Sequence, residues 1–406
     1  MLKGVSSQFL SGPSLNNLAH RCWLADEPAA ALSWALWAVR PQAWLEGKIH
    51  RNAFRTLGHV LIDHGRYQEA DLAYQHSDPD DFDPNALLGR ALAAEGMHLR
   101  KQAAVLAEAR FLLEKIPHGA LPKPHWKEWP NVEQLTLWDE QGFGDTIQET
   151  RWLPAILQQP TSVTLAVRSP LVRLMREGLA WLGPQLKVVD RDESAFDGCH
   201  GSLLSLHWRL QHSFAAEVNE PVLGWFRLPA TAVERPSSGR RIGLLWAAGR
   251  YSESAYLHRE ATKKSLPLFA LQGLVKVLEA ESCELVCLQT GPDRDEAEVL
   301  KLDWQGELQP DADFYGLAQM MKGCDLIITV DTAAAHLAGA LGVQAWLLLP
   351  WAAAARWGRD SQTTSLYASL RLFRQRKPRD WNSVIDLVRS ALRQSSSSTE
   401  FHQHNP

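Results

Sequence analysis

Residues 326–341 read LIITVDTAAAHLAGAL. A short apolar run rich in β-branched residues ends at Asp331-Thr332, and a run of small residues begins. The first part has the pattern of a strand buried on both faces. The second has the composition of a helix of small residues. A strand running straight into a helix puts Asp331 and Thr332 at the C-terminal end of a strand, where open parallel sheets bind ligands. The helix start offers N–H groups and the positive end of a dipole, which suit a phosphate. Ala333, Ala334 and Ala335 add no bulk there. Asp331 can accept hydrogen bonds from hydroxyls. His336, one turn further on, either faces the same ligand or packs in the core.

A second loop of the same kind lies upstream, at residues 135–147, LTLWDEQGFGDTI. An apolar strand gives way to Gly142-x-Gly144, and Asp145-Thr146 opens a helix. The reading is that both glycines take positive φ and let the backbone approach a ligand, with Gln141 in the same cleft loop. Asp145 or Thr146 can cap that helix. The motif is not the dinucleotide fingerprint, because Gln148 stands where the third glycine belongs, and no Gly-Lys-Ser/Thr follows it.

Outward from these loops, strands alternate with helices, which predicts parallel sheets. The first set has strands near 132–138, 163–167, 186–189 and 203–206. The second has strands near 241–246, 283–289, 326–330 and 345–349, with helices at 268–280, 313–322 and 334–341 and a last helix over 381–392. The expected architecture is α/β, two Rossmann-like domains at 131–233 and 241–393. A polar break lies at 234–240, and a low-complexity tail at 394–406 is expected to be disordered.

The N-terminal part differs. Residues 1–115 read as helix after helix. In LGHVLIDHGRYQEADLAY (57–74), small and aromatic residues follow the order of a tetratricopeptide repeat, with Gly58 and Ala70 leaving room between two antiparallel helices and Tyr74 filling the adjacent gap. Weaker copies flank it at 30–41 and at 86–113, so about three repeats form an all-α domain. SDPDDFDP (77–84) lacks the central Gly and distal Glu of a calcium loop and reads as a capped turn. Residues 116–130, with four prolines, read as a linker.

Composition limits the function classes. The chain has 406 residues, 42 basic and 46 acidic, for a net charge of −4. That balance gives no polybasic surface for nucleic acid or anionic lipid. The longest nearly apolar run, 345–355, contains a proline and is too short for a membrane span. The N-terminus carries no apolar signal-like run, and five cysteines without a C-x-x-C pair fit a reducing compartment. A cytoplasmic protein without a transmembrane segment is the expectation. Seventeen tryptophans are many. Trp138, Trp246, Trp351 and Trp357 fall at or after strand ends, where they either line the site or fill it.

Taken together, WDEQGFGDTIQETRWLP, RRIGLLWAAG, KKSLPL and DLIITVDTAAAHLAGALGVQAWLLLP resemble the bacterial family that joins tetratricopeptide repeats to a heptosyltransferase-like (family 9-like) glycosyltransferase. The resemblance covers roughly residues 130–392. It implies the two-Rossmann GT-B architecture, with the acceptor on the first α/β domain and the nucleotide-sugar donor on the second. It also implies that Asp145 is the general base, that Lys264 (or Lys263) lies near the donor phosphates, and that Asp331, Thr332, Ala333 and His336 form the donor loop. The implied reaction is a metal-independent, inverting sugar transfer to an acceptor hydroxyl on a protein, a glycan or a lipid-linked carrier. It needs no cofactor beyond the nucleotide-diphosphate sugar as substrate, and the repeats recruit the acceptor or another protein partner. The sequence departs from the family pattern at Ala248, where relatives usually carry Asn, and at Glu149 and Thr150, which replace an apolar pair. A catalytically inactive repeat scaffold that binds protein partners is the alternative reading. Nucleotide-sugar epimerase chemistry is a third.

Overall fold

The computed structural model describes residues 11–44, 49–113, 121–127, 129–193, 196–214, 223–229, 239–250, 254–359 and 361–397. The chain divides into two compact units. One comprises Met1–Gly119 with Arg250–Lys263 and Ala352–Asp360, and the other holds Ala120–Gly249, Lys264–Trp351 and Ser361–Pro406.

The first unit is helical. Its helices α1 (Gly12–Leu24), α2 (Pro28–Ala38), α3 (Arg51–Asp63), α4 (Tyr67–Ser77), α5 (Pro84–Gly96) and α6 (Arg100–Ala107) pack as successive neighbours, α1 on α2, α3 on α4 and α5 on α6. The packing follows from small residues opposite one large one. The fully buried Tyr74 ring lies against Gly58 of α3 and Gly89 of α5, where a Cβ would come within 2.7 and 2.3 Å of it. The carboxylates of 77–84 are engaged in caps and ion pairs. Asp83 Oδ1 accepts from the Asn85 N–H (2.9 Å) to cap α5, and its Oδ2 meets Arg55 at 2.8 Å.

Under Tyr74 lies a polar seam. The Tyr74 hydroxyl and His59 Nδ1 are 2.8 Å apart, and His59 stacks on Trp23 at 5.2 Å between centroids. Burial first, then the Arg55 charge, push the His59 imidazole down to about 4 from 6.5. The unfolded chain therefore takes up a proton below 6.5 that the folded chain refuses. Stability is complete above that pH and falls as pH drops toward 4, by about 2 kcal/mol between pH 8 and pH 5. Urea melts at both values should show this loss in the wild type and a smaller loss in His59→Gln. Parallel pH dependences would refute it.

The second unit contains two sheets, both wholly parallel. The first is built from β1 (Gln134–Trp138), β2 (Ser162–Val167), β3 (Leu186–Asp190) and β4 (His200–Ser202), in the order β3-β2-β1-β4. Its helices are α7 (Phe143–Glu149), α8 (Leu153–Ile156), α9 (Ser169–Gly178) and α10 (Leu206–Phe214). The fourth strand lies earlier than the apolar pattern of 203–206 suggests. That stretch is a 3-10 turn entering α10, begun by the Ser202 side chain accepting from the Leu204 N–H, and its Leu203 and Leu206 are buried. The end of the expected linker adds to the sheet edge, because His125 bridges antiparallel to His200. Residues 116–120 and 128 of that linker lie outside the described residues, as do 234–238 of the polar break.

The second sheet runs β10-β9-β8-β5-β6-β7. Its elements in chain order are β5 (Arg241–Leu245), α11 (Ala255–Lys264), α12 (Leu268–Ala280), β6 (Glu284–Cys287), α13 (Pro292–Ala297), β7 (Gly306–Glu307), α14 (Phe314–Lys322), β8 (Leu326–Val330), α15 (Ala333–Leu341), β9 (Ala345–Leu349), β10 (Leu370–Arg374) and α16 (Trp381–Ser397). All five residues of β8 and of β9 are buried, as strands covered on both faces must be. α16 continues through residues 394–397, part of the tail expected to be disordered, and 398–406 lie outside the described residues. Burial pushes the Cys283 and Cys324 thiols up to about 11 and about 12, so they pack as neutral side chains. Among the described residues no helix is long and apolar enough to cross a membrane.

Most of α11 groups with the helical unit rather than with the sheet that precedes it. Its Arg259 is buried, ion-pairs with Asp63 and lies over the Trp23 ring at 4.7 Å, while Trp23 Nε1 donates to Asp63 at 2.9 Å.

Candidate functional site

Strand order places the two loops. In the second sheet the chain winds from β5 out through β6 to β7, then returns to β8 and winds the other way through β9 to β10. Connections leave β5 and β8 in opposite directions, which opens a crevice at their C-terminal ends. Asp331 follows β8, and Lys264 ends the helix that follows β5. In the first sheet the same reversal falls between β1 and β4, and the Gly-rich loop follows β1.

The β1 loop is held from below by two fully buried carboxylates. Asp139 accepts from Arg168 Nε at 2.6 Å and from its backbone N–H at 3.2 Å, and Arg191 donates to the Asp139 carbonyl at 2.9 Å. The Ser202 hydroxyl at the end of β4 donates to Glu140. Buried polar groups persist only when bonded, so these contacts pin the loop to both neighbouring strands. The positive φ falls on Gln141 (57°), not on the glycines. Gly142 has φ −77° and is the N-cap of α7, and Gly144 lies within the helix. Asp145, half-buried at the third helical position, accepts from the Gly142 N–H through Oδ2 at 3.1 Å. That bond supports the cap reading and also fixes the carboxylate's direction.

The β8 loop brings Asp331, 6% exposed in its side chain, to Lys264 Nζ at 3.2 Å. Lys263 points elsewhere, with its Nζ 2.7 Å from Glu260. The Thr332 hydroxyl caps α15 by accepting from the Ala334 N–H at 3.2 Å, and the Ala335 N–H bonds the Thr332 carbonyl at 3.1 Å. Two of the N–H groups expected to be open are therefore engaged in the first turn, and the dipole with Lys264 supplies the positive potential. At the end of β5, Gln289 Oε1 accepts from the Trp246 and Ala247 N–H groups, and Ser265 Oγ accepts from Ala248. The backbone at the departure Ala248 is thus held from outside.

The two loops meet. Helix α7 packs along α15, and a Cβ on Gly144 would lie 3.2 Å from Ala333 Cα and 2.6 Å from His336 Cδ2. Gly144 serves close helix approach, one residue before Asp145. His336 is buried between Gly144 and Tyr367, whose hydroxyl is 2.7 Å from His336 Nδ1. Gly144→Ala should force the helices apart and destabilise the unit by about 1–3 kcal/mol in a thermal melt. An unchanged melt would contradict the overlap.

The four tryptophans do not form one cluster. Trp138 is buried against Phe196 and His200, Trp246 stacks on Trp304 in the core of the second sheet, and Trp357 is buried in the helical unit. Trp351 is half-buried, its backbone N–H donating to Gln375 Oε1. The residues that sequence reasoning missed are the supports: Asp139 and Glu140 with their arginine and serine partners, and Tyr367. The carboxylates were visible in the string WDEQG, but Arg168, Arg191 and Ser202 lie 29, 52 and 62 residues away. Among the described residues no group of three His, Cys, Asp or Glu side chains is arranged to hold a metal ion.

Residues 259–346 match the family model described as Glycosyltransferase family 9 (heptosyltransferase). The matched stretch includes Lys264, Asp331, Thr332, Ala333 and His336, and it supports a glycosyltransferase. Protein FlbA of Caulobacter vibrioides is 24% identical over 325 residues, 72% of this chain and 52% of its own length. The chain thus spans about half the length of that relative. Among solved structures, the ADP-heptose lipopolysaccharide heptosyltransferase II of E. coli aligns with a TM-score of 0.44 at 15% identity, over 65% of this chain and 100% of that one. The iron-containing dodecameric glycosyltransferase TibC of enterotoxigenic E. coli aligns with a TM-score of 0.42 at 9% identity, over 68% and 79%.

Proposed function

We propose that the chain transfers a sugar from a nucleotide-diphosphate sugar to an acceptor hydroxyl by a metal-independent, inverting displacement. The observation that carries this reading is the meeting of α7 and α15, which packs Gly144, the residue before Asp145, against Ala333 at the start of α15, with Asp331 at the end of β8 paired to Lys264. In the proposed reaction Asp145 takes the proton of the acceptor hydroxyl as its oxygen attacks the anomeric carbon. The bond from that carbon to the diphosphate oxygen breaks, and the departing negative charge is met by Lys264 and the dipole of α15. Thr332 and Ala333 border the diphosphate, Asp331 holds Lys264 in place and is available to a donor hydroxyl, and His336 supports the helix from behind. Gln141, Gly142 and Gly144 shape the acceptor side. We further propose that the α1–α6 helical pairs are tetratricopeptide-like repeats that recruit the acceptor, and that the reaction takes place in the cytoplasm.

A panel of nucleotide-diphosphate sugars screened by thermal shift tests the reading, since a ligand that binds the folded state raises the melting temperature by mass action. ADP-heptose belongs in the panel because a solved neighbour, TibC, is described in complex with it. At least one nucleotide sugar should stabilise the protein. No stabilisation across the panel would favour the inactive scaffold.

A further inference from the structure

We infer that Trp225 is a positioning residue that rivets the two sheets of the catalytic unit together and thereby sets Asp145 against the start of α15. This rests on the proposed transfer reaction and extends it to residues outside the two loops.

The segment 223–229 passes between the halves and is bonded to both. The Trp225 and Phe226 N–H groups donate to the Ala340 carbonyl of α15 at 2.8 and 2.9 Å, and the Arg227 N–H donates to Gly178 of α9 at 2.9 Å. Gly224 runs so close to Gly342 that a Cβ would lie 2.4 Å from its nitrogen. The buried Trp225 indole makes the remaining contacts. Nε1 donates to Thr150 Oγ1, just past α7, at 2.9 Å. The ring stacks on Tyr367 with centroids 5.9 Å apart and an interplanar angle of 18°. The Tyr367 hydroxyl meets His336, and His336 backs Gly144, the residue before Asp145. The chain of contacts leaves the first sheet at Thr150, crosses the second at Tyr367 and His336, and returns to α7. It closes a loop around the helix that carries the proposed base.

Thr150 is one of the two departures from the family's apolar pair, and its role here is specific. A hydroxyl at that position gives the buried indole N–H an acceptor, which Val or Leu would not. Packed elements of this kind have discrete arrangements, so losing one contact shifts α7 rather than softening it evenly. Because reaction geometry is sensitive to displacements of about 1 Å, the effect should fall on turnover, while Lys264 and Thr332 keep their grip on the nucleotide.

The test uses the full chain with Thr150→Val, Thr150→Ser, Tyr367→Phe and the double variant Thr150→Val/Tyr367→Phe. Release of ADP from ADP-heptose, ADP affinity by calorimetry and amide hydrogen exchange over residues 143–149 are read for each. Thr150→Val and Tyr367→Phe should each lower turnover roughly tenfold and speed exchange in α7, with ADP affinity within about twofold of wild type. Thr150→Ser should stay near wild type. The double variant should lose less than the product of the single losses, because both cut one chain of contacts. Unchanged α7 exchange, or turnover and ADP affinity falling together, would overturn the inference. If Asp145→Asn leaves turnover intact, the assignment of Asp145 as the base fails instead, and the exchange data still decide whether Trp225 holds α7.

Discussion

Asp145→Asn should lower sugar transfer by ~10²-fold or more and leave nucleotide affinity nearly intact. Asparagine is the informative replacement because of the local geometry. Asp145 Oδ2 accepts the Gly142 N–H, and an amide oxygen can do the same, so the cap of α7 survives. What asparagine lacks is the basicity to take a proton from an attacking hydroxyl. Asp145→Ala removes both functions and should in addition cost about 1 kcal/mol of stability. The comparison separates the roles. Equal activity in wild type and Asp145→Asn would make Asp145 a cap and no more. Parallel losses of turnover and nucleotide affinity would mean that it contacts the donor. A large fall in turnover at constant affinity, with the melt unchanged, is the outcome expected of a general base.

The second large effect is expected at Lys264. Its ammonium is the positive side chain at the crevice between β5 and β8 that the structure pairs with Asp331, at 3.2 Å. Lys264→Ala removes the charge offered to a diphosphate, a cation that lies 3.2 Å from the buried Asp331. A bound diphosphate would then meet a carboxylate that repels it more strongly. ADP affinity should fall by about 10- to 100-fold, a loss of about 1.4–2.7 kcal/mol, measured by calorimetry at fixed ionic strength. Lys263→Ala is the control beside it. Lys263 Nζ lies 2.7 Å from Glu260, so its loss should leave ADP affinity within about twofold. A drop for Lys263 and none for Lys264 would reverse the assignment, and no drop for either would remove phosphate recognition from this helix end.

The two lysines show where sequence reading ends. KKSLPL places two cations next to each other after the first strand of the second sheet. Adjacent residues on a helix point about 100° apart, so one alone meets Asp331, and which one depends on how α11 is rotated. Lys264 is the one that does, while Lys263 turns to Glu260, and no local pattern announces it. His336 is a similar case. Its place one turn into α15 was plain, but whether it faced a ligand or the core was decided by Tyr367, 31 residues later, and by Gly144 on the other sheet. The glycines of Gln141-Gly142-Phe143-Gly144 were legible as a special loop for a reason that proved to be different. They supply a cap and a close helix contact, while Gln141 takes the left-handed backbone.

By itself the sequence determined what depends on local periodicity and composition. It marked the helical N-terminal part with Tyr74 between small residues, the alternation that makes parallel sheets, and the two strand-to-helix steps that end in Asp145 and in Asp331-Thr332. These are short-range consequences of which faces must be buried and which backbone groups need caps. Only the tertiary structure decided what depends on long-range pairing. It set the strand order that opens crevices beside β1 and β8, and it buried the ion pairs of Asp139. It added the edge strands β7 and β10, seated α7 on α15, and put Trp225 between the two sheets. Those contacts join residues tens of positions apart, so they follow from the way whole layers pack and not from the pattern of any one segment.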